Sequence, residues 1–250
     1  MQPVSGWSRR TVVLVLAALA LLAVVIAWNA FRPRGPVLLE FCIRQNVEMA
    51  RLSEFGECAQ FAIWLEDPAS HSFRTVVVTR RSATGDWDGK AECPSALPRW
   101  FEVYRKETGC AGLPTPDAPA PDAVTAATPE VAHFYWRIEA PYGSRWICWI
   151  EVNLAADFNE TFRQYNEETG DEDTHMSGQP SLLYRAEIEA VPGRSVVPAP
   201  WGRSVPDTLS GETVHALDGI TTARRIFESV EIHVLRPPTV GGRRDQASAN

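Results

Sequence analysis

An antiparallel β-sandwich of immunoglobulin-like type, mainly β with one short helix and preceded by a single N-terminal transmembrane helix, is the fold class the sequence predicts. Three observations predict it. Four segments alternate apolar and polar residues over seven to ten positions, the period-2 pattern of antiparallel strands with one buried face. Counting three plainer strands nearer the N-terminus gives seven or so strands with little helix, which suits a sandwich. Ahead of them, Thr11–Trp28 (TVVLVLAALALLAVVIAW) holds no charged residue and follows directly on Arg9 and Arg10.

That apolar run is about 27 Å long as a helix, enough to cross a bilayer core. A cleaved signal peptide needs small residues at its cut site, and the bulky pair Trp28 and Asn29 stands there instead. Trp28 also suits a membrane interface. The expectation is therefore an uncleaved signal-anchor with residues 1–10 as a cytoplasmic tail, 11–28 as the span and 29–36 as a short linker stiffened by Pro33 and Pro36. Arg32 and Arg34 nearly balance Arg9 and Arg10, so the orientation rests on the short basic tail of a first and only span staying inside. This makes a single-pass inner-membrane protein whose domain, residues 37–238, lies in the periplasm or an equivalent extracytoplasmic space. Residues 239–250 are polar and predict a disordered tail.

Within the domain, Val37–Ile43 alternates with Val37, Leu39, Phe41 and Ile43 on one side. Asn46–Gln60 is mixed, with room for a short helix. Phe61–Asp67 and Ser72–Arg80 flank the turn-forming Pro68–His71 and make a hairpin. Leu97–Glu107 has a proline near its start and Gly109 after its end, which predicts a helix with Trp100, Val103 and Tyr104 inward. Gly112–Pro129 is rich in Pro, Ala, Asp and Thr and is a loop by composition, long enough to ask what task it has. The four strongly alternating strands follow: His133–Glu139, Trp146–Asn153, Leu182–Ala190 and Ile226–Leu235. Their polar faces carry Arg137, Glu139, Glu151, Arg185, Glu187, Glu189, Glu231 and His233.

The chain has 250 residues, 45% of them hydrophobic, and a net charge of −7. A packed core is expected, and the acidic balance without a basic stripe argues against a nucleic-acid partner. In an oxidising compartment cysteines pair. Nearness in sequence suggests Cys93 with Cys110 and Cys42 with Cys58, leaving Cys148 as a core thiol, although sequence alone does not fix connectivity. Asp171, Asp173 and His175 alternate like the start of a calcium loop, but the glycine and distal glutamate of that pattern are missing, so a solvated acidic loop is the preferred reading. His71, His133, His215 and His233 have no metal-ligand spacing. Asn159-Glu-Thr161 is a glycosylation sequon, relevant only in a eukaryotic secretory route. No nucleophile elbow, P-loop or zinc-hydrolase motif occurs.

One motif remains, Asp122-Ala-Val-Thr-Ala-Ala-Thr128. It resembles the flavin-attachment pattern of extracytoplasmic FMN-carrying proteins, in which an aspartate precedes a Ser/Thr, Gly/Ala, Ala, Ser/Thr run. The resemblance implies Thr128 as the acceptor of covalent FMN, Asp122 as part of what a flavin transferase recognises, and Thr125 within the same site; Ala126 stands where glycine is commoner. A loop without a task is the competing reading of the string. More broadly, FAIWLED, FRTVVVTRR, LPRWFEVYRKETG, DAVTAATP and GQPSLLYRAEIEA, in this order, resemble a family of predicted periplasmic proteins of unknown function. Its members are secreted or membrane-anchored β domains linked to periplasmic flavin transferases and PepSY-type membrane reductases.

Two functions stand. One is an electron carrier with FMN on Thr128, working between a membrane reductase and an outside acceptor. The other is an envelope scaffold or protein-binding module without cofactor, for which Trp87, Trp100 and Trp201 outside the clear strands would supply contact surface, packing being the alternative for each. A stand-alone enzyme ranks below both, since no catalytic constellation is legible.

Overall fold

The computed structural model describes residues 9–31, 35–49, 59–87, 93–120, 124–126, 132–205 and 209–237. The chain divides into two units, Met1–Gly35 and Pro36–Asn250. The first holds helix α1, Arg9–Phe31, of 23 residues. Its side chains are described for Thr11–Val24 and all of these are exposed. Counted over residues whose side chains are described, no helix is long and apolar enough to cross a membrane.

The second unit is mainly β. Its elements in order are β1 (Val37–Gln45), β2 (Gln60–Glu66), β3 (Phe73–Thr79), α2 (Arg80–Thr84), a 3-10 turn (Pro94–Ala96), α3 (Pro98–Thr108), β4 (Val124–Ala126), β5 (His133–Ala140), β6 (Arg145–Asn153), β7 (Leu182–Glu189), β8 (Ser195–Val196), β9 (Ala199–Ser204), β10 (Thr213–Val214), α4 (Ala223–Ile226) and β11 (Phe227–Leu235). A four-stranded sheet has the order β5-β1-β11-β8, and a seven-stranded sheet has the order β10-β9-β7-β6-β2-β3-β4. Every pairing is antiparallel except β3 with β4.

The sheets bury their alternating faces against each other. Val37, Leu39, Phe41 and Ile43 of β1 and Val230, Ile232 and Val234 of β11 share one core with Phe61, Ile63 and Leu65 of β2, Ile150 and Val152 of β6, and Leu182 and Ile188 of β7. Phe61 sits at its centre, with ring centroids 5.8 Å from Phe134, 6.0 Å from Trp136 and 5.7 Å from Phe227. The expected packing of these strands is what the pattern required. On the outer face of the small sheet the alternate residues stay polar, with a Glu40–Arg137 ion pair and Arg44 2.6 Å from Glu228.

The large sheet departs from a one-sided pattern. Its second face is also covered: Ala62 and Trp64 of β2, Val78 of β3, Trp149 of β6 and Leu183 of β7 pack under Leu97, Trp100, Phe101, Val103 and Tyr104. The architecture is therefore sheet, sheet and helix. A strand buried on both faces carries a near-continuous apolar run, which is why Phe61–Leu65 has no polar residue. The predicted helix forms as α3, closed at its end by Gly109 at φ 72°, whose N–H reaches the Arg105 carbonyl. The sequence also concealed β4, β8, β9, β10, α2 and α4. They are two to six residues long, too short to show a period. Of the Asn46–Gln60 segment, Asn46 caps a turn by accepting the Met49 N–H at 3.1 Å, and residues 50–58 lie outside the described residues.

Candidate functional site: an aromatic cavity beside an edge strand

The stretch expected to be loop contains a strand. Val124–Ala126 form β4, running parallel to β3 with Val77 opposite Val124, Val78 opposite Thr125 and Thr79 opposite Ala126. Three residues cannot announce themselves by alternation, and the pairing comes from the open edge of β3. Parallel neighbours need a long crossover, which residues 80–123 supply through α2 and α3. Thr125 thus lies at the edge of the large sheet. Asp122 and Thr128, the other two residues of the expected flavin site, fall outside the described residues.

β4 ends next to α2, since its last residue pairs with Thr79 and α2 begins at Arg80. Beside α2 lies a cavity of about 310 Å³ lined by residues of three stretches, 81–87, 93–101 and 113–116. Trp87, Trp100, Phe101 and Leu97 make its apolar walls, and Arg81 and Ser82 its polar side. One glycine makes this arrangement possible. Gly85 ends α2 at φ 63°, and a Cβ there would stand 2.3 Å from the Pro114 carbonyl oxygen. Only a residue without Cβ lets the 113–116 strap lie so close. The strap is held further by the paired backbone bonds of Thr115 and Ala118 and by the Ala120 N–H donating to Ala83 O at 2.8 Å.

α3, the far wall, is fixed by a residue that the sequence pattern assigns to a polar face. Glu151 of β6 is fully buried between its cross-strand partners Ala62 and Leu183. No side chain of its own segment caps α3. Instead Glu151 accepts the Arg99 N–H at 3.2 Å and the Trp100 N–H at 2.7 Å, and the Ser181 hydroxyl at 2.5 Å. A carboxylate at a helix N-terminus is favourable in both hydrogen bonding and dipole. Burial nonetheless dominates and pushes its pKa up to about 7, against the lowering effect of Ser181 and the two backbone bonds. Asp157 behaves alike: burial raises it to about 7 although it accepts the Gln179 N–H at 2.7 Å. Neither group was singled out in the sequence, because period-2 polarity does not distinguish a solvated carboxylate from a buried cap.

Cys93 and Cys110, expected as a pair, are not bridged to each other. Cys93 is buried with its Sγ 3.7 Å from Ser177 Oγ, and Cys110 is exposed. Cys42 is free on the outer face of the small sheet, and Cys58 lies outside the described residues. Cys148 is a buried core thiol, its pKa driven upward by burial.

The acidic loop spends its side chains on itself. Asp173 accepts the His175 N–H at 3.1 Å and the Gly178 N–H at 2.9 Å. Among the described residues no group of three or more His, Cys, Asp or Glu is arranged to hold a metal ion. His71 bonds Glu66 at 2.9 Å, and His215 meets Trp201 edge-on with centroids 4.3 Å apart. Asn159 closes a turn, accepting the Thr161 and Phe162 N–H groups at 2.9 Å and donating to Gly219 O at 2.8 Å. Of the three tryptophans considered as contact surface, Trp100 is core, while Trp87 and Trp201 are half-buried against it.

Comparison with family models, with curated proteins and with solved structures finds no match.

Proposed function

We propose that this chain is a membrane-anchored extracytoplasmic module that carries FMN as a phosphoester on Thr128 and relays electrons between a membrane reductase and an acceptor outside the membrane. The observation that carries the reading is the Asp122–Thr128 string with its middle on an edge strand. Beyond β4 no further strand pairs among the described residues, and an open edge is where another protein can align a peptide by backbone hydrogen bonds. Ala126 and Ala127 are small residues, which such an approach favours. The Thr128 hydroxyl oxygen attacks the flavin-side phosphorus of a flavin dinucleotide. The pyrophosphate P–O bond breaks, and the nucleoside monophosphate leaves with the hydroxyl proton. The redox chemistry belongs to the flavin; the protein supplies place and surroundings.

The anchor is read from the sequence, since uncharged Thr11–Trp28 as a helix would be about 27 Å long and match a bilayer core, and the sandwich behind it is read as immunoglobulin-like. The test is the intact mass of the chain co-expressed with a flavin transferase. A gain of one FMN less one water in the wild type, absent in Thr128→Ala, is expected. An unshifted wild type sinks the reading. A cofactor-free binding module is the second reading, favoured by the half-exposed Trp201 packed edge-on with exposed His215 at the opposite edge of the large sheet. Capture of a defined membrane partner that survives Thr128→Ala and is lost in Trp201→Ala would establish it.

A further inference from the structure

We propose that the groove lined by Arg145, Arg185 and Arg194 seats the phosphodiester headgroup of an anionic membrane lipid, a deepening that rests on Thr11–Trp28 as the membrane anchor. The groove has a volume of about 780 Å³, within the range of ligand sites. Its lining comes from the turn after β2, the start of β6, the end of β7, β8 and the end of β11. The antiparallel registers gather these segments at one end of the sandwich. Arg145 lies opposite Glu189, and the Pro141–Ser144 turn joins Arg145 to Ala140 of the small sheet. Ala140 in turn lies opposite Val37, where β1 begins, and Leu38 lies opposite Leu235. The groove is therefore at the end where the chain enters the domain. In the anchor reading the span stops at Trp28, so this end is tied to the membrane through residues 29–36.

Charge selects an anion here. Arg185 is 2.9 Å from Glu187 and Arg194 is 2.7 Å from Glu189, so both lining carboxylates already hold a guanidinium. Arg145 is exposed and has no ion-pair or hydrogen-bond partner among the described residues. A guanidinium in that state offers a planar fork of N–H donors that matches phosphate oxygens. The chain has net charge −7, and its acidic excess gathers at the other end. The connection from β6 to β7 carries Glu160, Glu167, Glu168, Asp171, Glu172 and Asp173 against Arg163. An anionic bilayer surface repels that end and attracts the groove end. Open apolar surface beside Arg145 selects a lipid over a free anion. Ile147 and Val196 are half-buried and Pro68 is exposed within the groove, and Val197, which follows, is 69% exposed. Half-buried Trp146 donates its indole N–H to Ser144 Oγ at 2.8 Å, an apolar body with a polar tip that suits a membrane interface.

The experiment is native mass spectrometry of the full-length chain in a neutral detergent, titrated with phosphatidylglycerol or with phosphatidylcholine. The wild type should retain one phosphatidylglycerol several-fold more than phosphatidylcholine. Arg145→Glu should lower that retention several-fold, to the phosphatidylcholine level, whereas Arg145→Lys should keep most of it. Arg44→Gln, on the outer face of the small sheet, should leave it unchanged, and circular dichroism checks that all variants fold alike. A wild type without preference, or an equal preference in Arg145→Glu, overturns the proposal. Displacement of the lipid by millimolar inorganic phosphate also overturns it, since the groove is then a free-anion site. Alkaline extraction of membranes judges the anchor separately. A chain that washes off but retains phosphatidylglycerol through Arg145 loses the anchor and keeps the groove. One that stays in the membrane and shows no preference loses the groove and keeps the anchor.

Discussion

Glu151 and Asp157 make the acid side of the stability curve unusual. Both have folded pKa values near 7, raised by burial from ordinary values of 4.5 and 3.8. Between the unfolded and folded values the native state holds more protons than the unfolded chain, so stability falls as pH rises from about 4 to about 7 and levels above it. Each such proton changes stability by about 1.4 kcal/mol per pH unit within that window. Urea midpoints of the wild type should therefore be higher at pH 5.5 than at pH 8. Glu151→Gln, which keeps an acceptor for the α3 N–H groups, should reduce that difference; an unchanged slope would mean that Glu151 ionises as an exposed carboxylate does. Glu151→Ala instead strands the α3 N-terminus and the Ser181 hydroxyl in the core and should cost about 2–4 kcal/mol at any pH. Thiol chemistry checks the cysteine placements at the same scale. Exposed Cys110 should react at once with a thiol reagent, whereas Cys93 and Cys148 react only after unfolding. A Cys93–Cys110 disulfide found by peptide mapping would contradict the placement of Cys93 as buried and Cys110 as exposed and unbridged.

At the scale of elements, legibility in the sequence tracked how many residues carried a signal. The sandwich strands were readable because four or five alternating positions in each bury the same face, as Val37, Leu39, Phe41 and Ile43 do. α3 was readable from its proline, its glycine and its inward aromatics. What stayed hidden was the second covered face of the large sheet. Ala62 and Trp64 look like ordinary variation within a strand, and only the docking of α3 explains them. β4 stayed hidden because a strand of three residues is defined by its partner. The Asp122–Thr128 string stood out by resemblance rather than by periodicity, and the cavity beside α2 was not legible at all, since its walls come from three separate stretches. Trp64 tests the hidden face. It is 1% exposed and lies 6.4 Å from Trp149 in a stacked pair. Trp64→Ala should cost about 3–5 kcal/mol, as for other buried large-to-small changes; if β2 faced solvent on that side the loss would be under about 0.5 kcal/mol. Gly85→Ala tests the strap. A positive φ and contact with Pro114 O together should cost about 1–3 kcal/mol and make the 113–116 stretch cleaved sooner by a protease.

For the whole molecule, both core clusters are built from residues between Val37 and Val234, and the division into units falls at Gly35 and Pro36. The unit from Pro36 onward should therefore fold alone, with a single cooperative transition at the same denaturant midpoint as the full chain in detergent. Cooperativity is expected as one event because the large sheet belongs to both clusters: Phe61 and Trp64 are neighbours on β2 yet face opposite cores. Loss of one layer exposes the other face of the same strand, so helix and sandwich cannot melt apart cheaply. The measurement is denaturant unfolding followed in parallel by tryptophan fluorescence, which samples both cores, and by far-ultraviolet circular dichroism. Coincident curves for the truncated unit are expected. Two transitions would mean that α3 and its covered face form a separate unit. A lower midpoint on removal of residues 1–35 would mean that α1 stabilises the sandwich. Membrane partition supplies the complementary readout: the full chain should fractionate with membranes and resist extraction at high pH, and the truncated unit should not. If both fractionate alike, Thr11–Trp28 is not the anchor.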